Sequence, residues 1–316
     1  MKKFLSKILL FLTPLLIAVV VIFILPYNRK FAYCYIKGSC YNRGEWVYNR
    51  IFESETPIDI AFIGTSHTMN TVNDEIVEDS LNLKFNKQIH IANLSYCWEG
   101  LNTHYLILKD LVENKSPSTI VFEVREHEHK TDHTVFSFLA GTDDVFEQPF
   151  LKNSDCFLNV YDAVISRFVQ FTSEDKYIPH GNTIKDHGYG YGLEIADTNE
   201  LKEQSRLQER KYGEDGFLLD YTMTPYSRFY FNKMMEICKE KNIHVYFLYL
   251  PAYGDVMGKP LDYELYKQYG EVLLPPQEKL RKQTFWLDRS HLNRDGGTFV
   301  TEWLIEQLLS SQEHLE

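Results

Sequence analysis

The chain has 316 residues, of which 44% are hydrophobic, 24% charged and 15% aromatic. This composition excludes a disordered, collagen-like or coiled-coil protein, and the length is sufficient for one large domain with its own hydrophobic core. There are 33 Lys and Arg against 44 Asp and Glu, which gives a net charge of −11 and argues against nucleic acid as a partner, because phosphate binding needs a basic surface.

The N-terminal 30 residues have the pattern of a membrane span. Three lysines within the first seven residues precede an uncharged apolar run at 8–26. As a helix this run is about 28 Å long, close to the thickness of the hydrocarbon core of a bilayer. It continues into PYNRK without a small-residue cleavage site, so residues 1–30 are predicted to be a cytoplasmic tail and an uncleaved signal anchor. A removed signal peptide and a buried soluble helix are the alternatives.

The side of the membrane is less well determined by charge, because basic residues flank the run on both sides in similar number. A short tail inside and a large acidic domain outside is the simpler arrangement. We therefore expect a single-pass protein of the inner (cytoplasmic) membrane with its main domain on the extracytoplasmic side.

Residues 31–55 are interpreted as a juxtamembrane linker and residues 56–316 as the main domain. The five cysteines are too few for a disulfide scaffold and contain no zinc-type CxxC pair. A Cys34–Cys40 bridge is a hypothesis for an oxidising compartment, and the remaining cysteines are expected to be buried thiols.

From residue 56 onwards, short apolar strand patterns alternate with helix patterns. Strands are predicted at 58–63, 88–94, 119–124, 243–250 and 284–287, and helices at 72–83, 101–113, 226–241 and 295–310. Strands that alternate with helices form parallel crossover connections. The sequence therefore predicts an α/β fold, a three-layer α/β/α sandwich around a mostly parallel, five-stranded, flavodoxin-like sheet.

The alternation stops at about 126–220, which we interpret as a large insertion over the edge of the sheet. Two helices are predicted within it, at 157–171 and 199–211. The sequence HEHKTDH at 127–133 has a metal-like composition, but it lacks a fixed spacing for a third ligand, so no metal site is predicted. A Tyr- and Gly-rich stretch at 187–191 is interpreted as a loop, with glycan stacking as the functional alternative.

Two polar clusters follow the first and the last predicted strands. Ligands of open α/β sheets bind outside the carboxyl ends of the strands. GTSH at 64–67 places Ser66 on a strand-to-helix turn, and DRSH at 288–291 places Asp288 three residues before His291. The Asp288 carboxylate can fix the tautomer of the His291 imidazole, which can then take a proton from Ser66. For either cluster alone, a helix-capping turn is the alternative.

Together, strand–GTS–helix near the start of the domain and DxxHLN near its end resemble the SGNH (GDSL-like) hydrolase superfamily. The resemblance implies that Ser66 is the nucleophile, that Asp288 and His291 complete a triad, and that no cofactor is needed. It also implies an oxyanion hole formed by the backbone N–H groups of Ser66 and Gly100.

The chain departs from the superfamily at the third conserved block, where GxND supplies an Asn side chain to the oxyanion hole. The corresponding strand end here reads VFEVREHE and contains no Asn. Arg125 or a nearby backbone N–H is the candidate substitute. Arg125 and His67 are also candidate substrate contacts in the pocket.

An N-terminal anchor on such a domain is similar to the cell-envelope members of the superfamily. Those proteins move acyl groups on or off surface polymers, often beside a membrane-bound O-acyltransferase. The resemblance implies a membrane-anchored serine acyl esterase or O-acyltransferase that acts on ester-linked acyl groups of an envelope polysaccharide. The alternative is a catalytically silent binding or scaffold subunit of a polysaccharide-modifying complex, because only two oxyanion donors are assigned; a lipase-like activity is a third interpretation.

Overall fold

The computed structural model describes residues 2–25, 27–35, 42–96, 100–126, 135–172, 194–213 and 223–310. Several sequence-based hypotheses fall outside these described residues: the Cys34–Cys40 bridge, Cys97, the HEHKTDH stretch and the Tyr- and Gly-rich stretch at 187–191.

The centre of the domain is one five-stranded parallel sheet with the strand order β2-β1-β3-β4-β5, the order of flavodoxin-like folds. Its strands are β1 (Ile60–Ile63), β2 (Ile91–Asn93), β3 (Thr119–Val124), β4 (His244–Tyr249) and β5 (Glu271–Leu273). In the register of the sheet, Ile60 of β1 lies opposite Ile91 of β2 and Thr119 of β3. The predicted α/β class with a parallel sheet is confirmed.

Fourteen α-helices accompany the sheet in the described part of the chain. They are α1 (Lys2–Ile24), α2 (Arg29–Tyr35), α3 (Asn42–Tyr48), α4 (Ser66–Thr71), α5 (Asp74–Phe85), α6 (Leu101–Asn114), α7 (Phe136–Leu139), α8 (Thr142–Phe146), α9 (Asp155–Thr172), α10 (Thr198–Tyr212), α11 (Pro225–Glu240), α12 (Tyr263–Tyr266), α13 (Gln277–Leu280) and α14 (Arg294–Ser310). A π-helical turn (Asn49–Glu53) follows α3, and a 3-10 turn (Gln283–Phe285) follows α13.

The sheet is buried on both faces, as a three-layer sandwich requires. Along β1, Ile60 and Phe62 belong to a hydrophobic cluster that also contains residues of α5 and α14. Ala61 and Ile63 belong to the cluster on the other face, which contains residues of α6 and α11. Because successive side chains of a strand point to opposite faces, the continuous apolar run of β1 supplies both layers.

The predicted fifth strand at 284–287 is wrong. Trp286 forms only an isolated antiparallel bridge with Leu292, and its indole N–H donates to the carbonyl oxygen of Leu280 at 2.6 Å. The strand at the sheet edge is instead β5, which pairs with Tyr246–Leu248 of β4. A short apolar run such as TFWL cannot be distinguished from a buried turn by periodicity, and β5 is only three residues long with an exposed Glu271.

Helix α1 contains a stretch, Ser6–Ile24, of 19 residues with a mean hydropathy of 2.8, and within it only Phe23, near its end, is buried against the domain. By length and composition this helix is able to cross a membrane.

The segment after α1 differs from the expected linker at 31–55. Its described helices pack into the core, where Tyr33 and Val47 are fully buried. The Arg29 guanidinium pairs with the buried carboxylate of Asp110 on α6 at 2.7 Å, and the Tyr33 hydroxyl donates to the same carboxylate at 2.8 Å. Burial raises the pKa of Asp110 to about 6, although Arg29 and Tyr33 act in the opposite direction. The chain therefore enters the domain directly after the candidate span.

The expected insertion at 126–220 contains α7–α10 in its described parts, and α9 and α10 overlap the two helices predicted there. Phe136 and Leu139 of α7 lie in the cluster on the α6 face, whereas Leu201 of α10 lies in the cluster on the α5 face. This region thus contributes to the core on both faces of the sheet.

Candidate active site

The first polar cluster forms the turn between β1 and α4. Thr65 caps α4, and its side-chain oxygen accepts the backbone N–H of His67 at 3.2 Å. Ser66 begins the helix beyond the carboxyl end of β1 and is half-buried. A Cβ atom at Gly64 would lie 2.6 Å from the side chain of Glu123, so the turn requires glycine at this position.

The buried carboxylate of Glu123, near the end of β3, holds this turn in place. It accepts the backbone N–H groups of Thr65 at 2.8 Å and Thr68 at 3.0 Å, and the hydroxyl groups of both threonines at 2.7 Å. The side chain is only 1% exposed. A buried carboxylate is tolerated only where hydrogen bonds replace its hydration, and here all four come from the turn.

Sequence analysis assigned no role to Glu123. The signal that points to it is a lone acidic residue inside the apolar strand TIVFEV, because a charge in a buried strand requires donors from elsewhere in the chain.

The second polar cluster brings the predicted base to the predicted nucleophile. Nε2 of His291 lies 2.9 Å from Oγ of Ser66, across a sequence separation of 225 residues. Nδ1 of His291 lies 2.8 Å from Oδ2 of Asp288. All three predicted triad residues are therefore joined by one chain of hydrogen bonds, with the geometry needed for a proton to pass from the hydroxyl to the imidazole.

The Asp288 side chain is held by its own turn. Its Oδ1 accepts the backbone N–H groups of Ser290 at 2.7 Å and His291 at 2.8 Å. Burial alone would raise the pKa of Asp288, but the His291 ring and these N–H groups outweigh it and hold the pKa well below its usual range. The carboxylate thus remains ionised at neutral pH beside the imidazole.

His67 stacks on the predicted base. The ring centroids of His67 and His291 are 4.4 Å apart, with an interplanar angle of 14°. Nδ1 of His67 is 2.8 Å from Oγ1 of Thr65, and Nη1 of Arg125 contacts the same ring. Both predicted substrate contacts, His67 and Arg125, therefore lie beside the triad, and their roles toward a substrate stay predictions.

A small cleft with room for about one water molecule lies next to these rings. Its lining is mostly apolar and consists of His67, Thr71, Leu250, Pro251, Leu280, Trp286, Ser290 and Leu292. The cleft shares His67 with the stacked pair and Ser290 with the turn that holds Asp288.

Gly100, the predicted second oxyanion donor, begins α6 with φ 156° and ψ 110°, a conformation that residues with a side chain rarely adopt. The loop from β2 toward Gly100 is tied to the Ser66 turn, because the Tyr96 N–H donates to the Gly64 carbonyl oxygen at 2.9 Å. The buried Arg43 of α3 donates to the carbonyl oxygen of Ser95 in the same loop. These contacts place Ser95 and Tyr96 next to the turn that carries Ser66, while the oxyanion role of Gly100 stays a prediction.

A scan against models of known protein families finds no match for this chain, and a search among curated proteins finds no significant match.

Proposed function

We propose that this chain is a membrane-anchored serine acyl esterase or O-acyltransferase for ester-linked acyl groups of a cell-envelope polysaccharide. The proposal is carried by the hydrogen-bonded chain Ser66–His291–Asp288 at the carboxyl end of β1, with separations of 2.9 and 2.8 Å. A helix cap does not need an imidazole at this position, whereas an activated serine does.

In the first half-reaction, Oγ of Ser66 attacks the acyl carbonyl carbon while Nε2 of His291 takes the hydroxyl proton. The oxyanion of the tetrahedral intermediate is held by the backbone N–H groups of Ser66 and Gly100. The bond from the carbonyl carbon to the sugar oxygen then breaks, and His291 gives its proton to that oxygen. The products are an acyl-serine and a free sugar hydroxyl.

In the second half-reaction, water or another sugar hydroxyl attacks the acyl-serine and gives its proton to His291. The acyl–Ser66 bond breaks, and the proton returns to Oγ of Ser66. Asp288 keeps the imidazole oriented and stabilises its charged form in both halves. A water acceptor gives hydrolysis, and a sugar acceptor gives acyl transfer.

The cleft beside His67 and Ser290 is too small to hold a fatty acyl chain, so the proposed acyl group is a short one. Helix α1 supports a single-pass anchor, and an envelope substrate places the domain on the extracytoplasmic side. The proposed partners are thus the membrane, the acylated polymer and a membrane-bound O-acyltransferase.

The test uses the full-length chain in detergent with p-nitrophenyl acetate. Wild type is expected to release p-nitrophenol, and Ser66→Ala is expected to abolish the release. Ser290→Ala is the matched control, because its hydroxyl also lies next to His291 but has no nucleophilic role. A weak rate in water that rises on addition of a polysaccharide acceptor indicates transfer.

The opposing result is a folded wild-type chain that neither hydrolyses the ester nor forms an acyl-serine, with or without an acceptor. That result would favour the second candidate, a silent binding subunit, which the missing third oxyanion donor supports.

A further inference from the structure

Helix α9 exposes a continuous apolar face. Six large side chains on this helix are between 44% and 67% exposed: Phe157, Leu158, Tyr161, Ile165, Phe168 and Phe171. At 100° per residue they share one side of the helix. We call these six residues the α9 apolar face.

The opposite side of α9, which packs against the domain, buries only residues that are small or polar and no large apolar side chain. Its buried residues are Cys156, Asn159, Ala163, Ser166 and Arg167. Asn159 donates to the side chain of Gln148 at 2.6 Å, and Arg167 donates to the carbonyl oxygen of Ala140 at 3.0 Å. A surface helix of a water-soluble domain has the reverse arrangement, with its apolar side in the core. The α9 apolar face is therefore suited to an apolar environment.

The position of α9 next to the end of α1 indicates what that environment is. The guanidinium of Arg167 lies 4.7 Å from the ring centroid of Phe23, near the C-terminal end of α1. The ring of Phe146 on α8 lies 4.8 Å from the same ring and is 53% exposed. Thr142 donates to the carbonyl oxygen of Phe23 at 3.2 Å. The end of the candidate span, Phe146 and α9 therefore adjoin one another at the level where the chain leaves the bilayer.

We propose that α9 lies in the headgroup region of the bilayer, with the α9 apolar face immersed at the boundary with the acyl chains. The occupant is the phospholipid surface itself. This inference rests on the proposed anchor, because α1 sets the distance between α9 and the membrane. The domain is then held by two attachments, a spanning helix and an interfacial helix, and cannot rotate freely about α1.

The charge of the protein indicates which force dominates this contact. The chain carries a net charge of −11, and α9 exposes an acidic residue, Asp162, but no Lys or Arg. Attraction to anionic lipids therefore does not drive the contact, and burial of apolar area does. Immersion is expected in a purely zwitterionic phosphatidylcholine bilayer.

The test is photo-crosslinking of the full-length chain in phosphatidylcholine nanodiscs, with benzoylphenylalanine in place of one residue at a time. Phe168 and Phe171 are the test positions, and Leu12 on α1 is the positive control. Leu83 on α5, which is 87% exposed and belongs to the opposite face of the sheet, is the control for exposure alone. The expected result is a mass shift of one phospholipid at positions 12, 168 and 171, and none at 83.

A lipid adduct at position 12 without one at 168 or 171 would overturn the interfacial role of α9 and leave the anchor intact. Absence of an adduct at position 12 would overturn the anchor and, with it, this inference. In native membranes, an adduct of positions 168 and 171 with a protein instead of lipid would overturn the lipid surface as occupant in favour of a partner subunit. The Ser66→Ala chain is expected to give the same adducts, because this contact is independent of the acyl chemistry.

Discussion

The two turns that meet at the candidate active site are built in different ways. The turn with Ser66 is held from a distance by Glu123, whose partners Thr65 and Thr68 are 58 and 55 residues away in sequence. The turn with His291 is held locally by Asp288, three residues earlier. Glu123 is 1% exposed, whereas the Asp288 side chain is 38% exposed.

The two carboxylates are therefore expected to have different roles, Glu123 in the stability of the fold and Asp288 in the reaction. The buried carboxylate of Glu123, with its four hydrogen bonds, fixes the backbone around the nucleophile, so its loss is expected to destabilise the fold. Asp288 is half-exposed, and its partners, the His291 imidazole and the N–H groups of its own turn, are all local, so its loss is expected to affect the reaction more than the fold.

The largest expected effect comes from Asp288→Asn. The substitution removes the charge that fixes the His291 tautomer, so ester hydrolysis is expected to fall about 10⁴-fold, the loss found for the equivalent change in a serine triad. The unfolding free energy is expected to change by less than about 1 kcal/mol, because the site is partly exposed. Steady-state kinetics together with urea unfolding measure both. A fall in the unfolding free energy of clearly more than about 1 kcal/mol would contradict the assignment of Asp288 to the reaction instead of the fold.

Glu123→Gln is expected to do the opposite and destabilise the protein by about 2–4 kcal/mol, because an amide N–H₂ group then faces the donors of Thr65 and Thr68 in a dry site. Urea unfolding measures this change. Glu53→Gln is the matched control: Glu53 is 53% exposed in a 3.4 Å pair with Lys30, so its loss is expected to cost less than about 1 kcal/mol. If the Glu123→Gln protein is as stable as this control, Glu123 does not stabilise the Ser66 turn as we propose.

A pH series tests how the ionisation of Asp288 contributes to stability. The pKa of Asp288 is lowered in the folded state, so its contribution to stability is fully present above the unfolded-state pKa of about 3.9 and is lost as the pH falls through the lower folded-state value. The difference in melting temperature between wild type and Asp288→Asn is therefore expected to shrink as the pH falls below about 4. A difference that does not change below pH 4 would contradict the lowered pKa of Asp288 in the folded state.

The smallest effect is expected at His67. Its ring stacks on His291 at 4.4 Å, and aromatic pairs of this kind are worth about 0.5–1.5 kcal/mol, so His67→Ala is expected to lower kcat by up to about tenfold. His67→Phe keeps a flat ring in the stack and is expected to recover most of that loss. Measurement of kcat and KM for both variants separates positioning of the base from substrate binding. Equal losses in Ala and Phe variants would contradict the positioning role.

The sequence predicts contacts between residues that are close along the chain better than contacts between distant residues. Asp288 and His291 are three residues apart, and Ser66 comes three residues after the end of an apolar strand, so local patterns were sufficient to predict that these side chains meet. Glu123 was missed because its partners come from another part of the chain. The edge strand β5 was missed because three residues, one of them an exposed glutamate, form too short a pattern.

The segment 31–55 was interpreted as a linker because its short helices have no long amphipathic period. Its role is visible only through tertiary contacts, such as Tyr33 with Asp110 and Arg43 with the carbonyl oxygen of Ser95. Sequence periodicity reports the face that a helix buries, and it carries no information about single polar side chains that bind distant backbone groups.

Labelling of the full-length chain with a fluorophosphonate, followed by peptide mass mapping, tests the central proposal most directly. This reagent needs only an activated serine and no knowledge of the natural substrate. The account predicts one adduct, on Ser66, in wild type, and none in His291→Ala, although the hydroxyl is still present there. A folded wild-type chain without an adduct on Ser66, or equal labelling of Ser66 in His291→Ala, would contradict it.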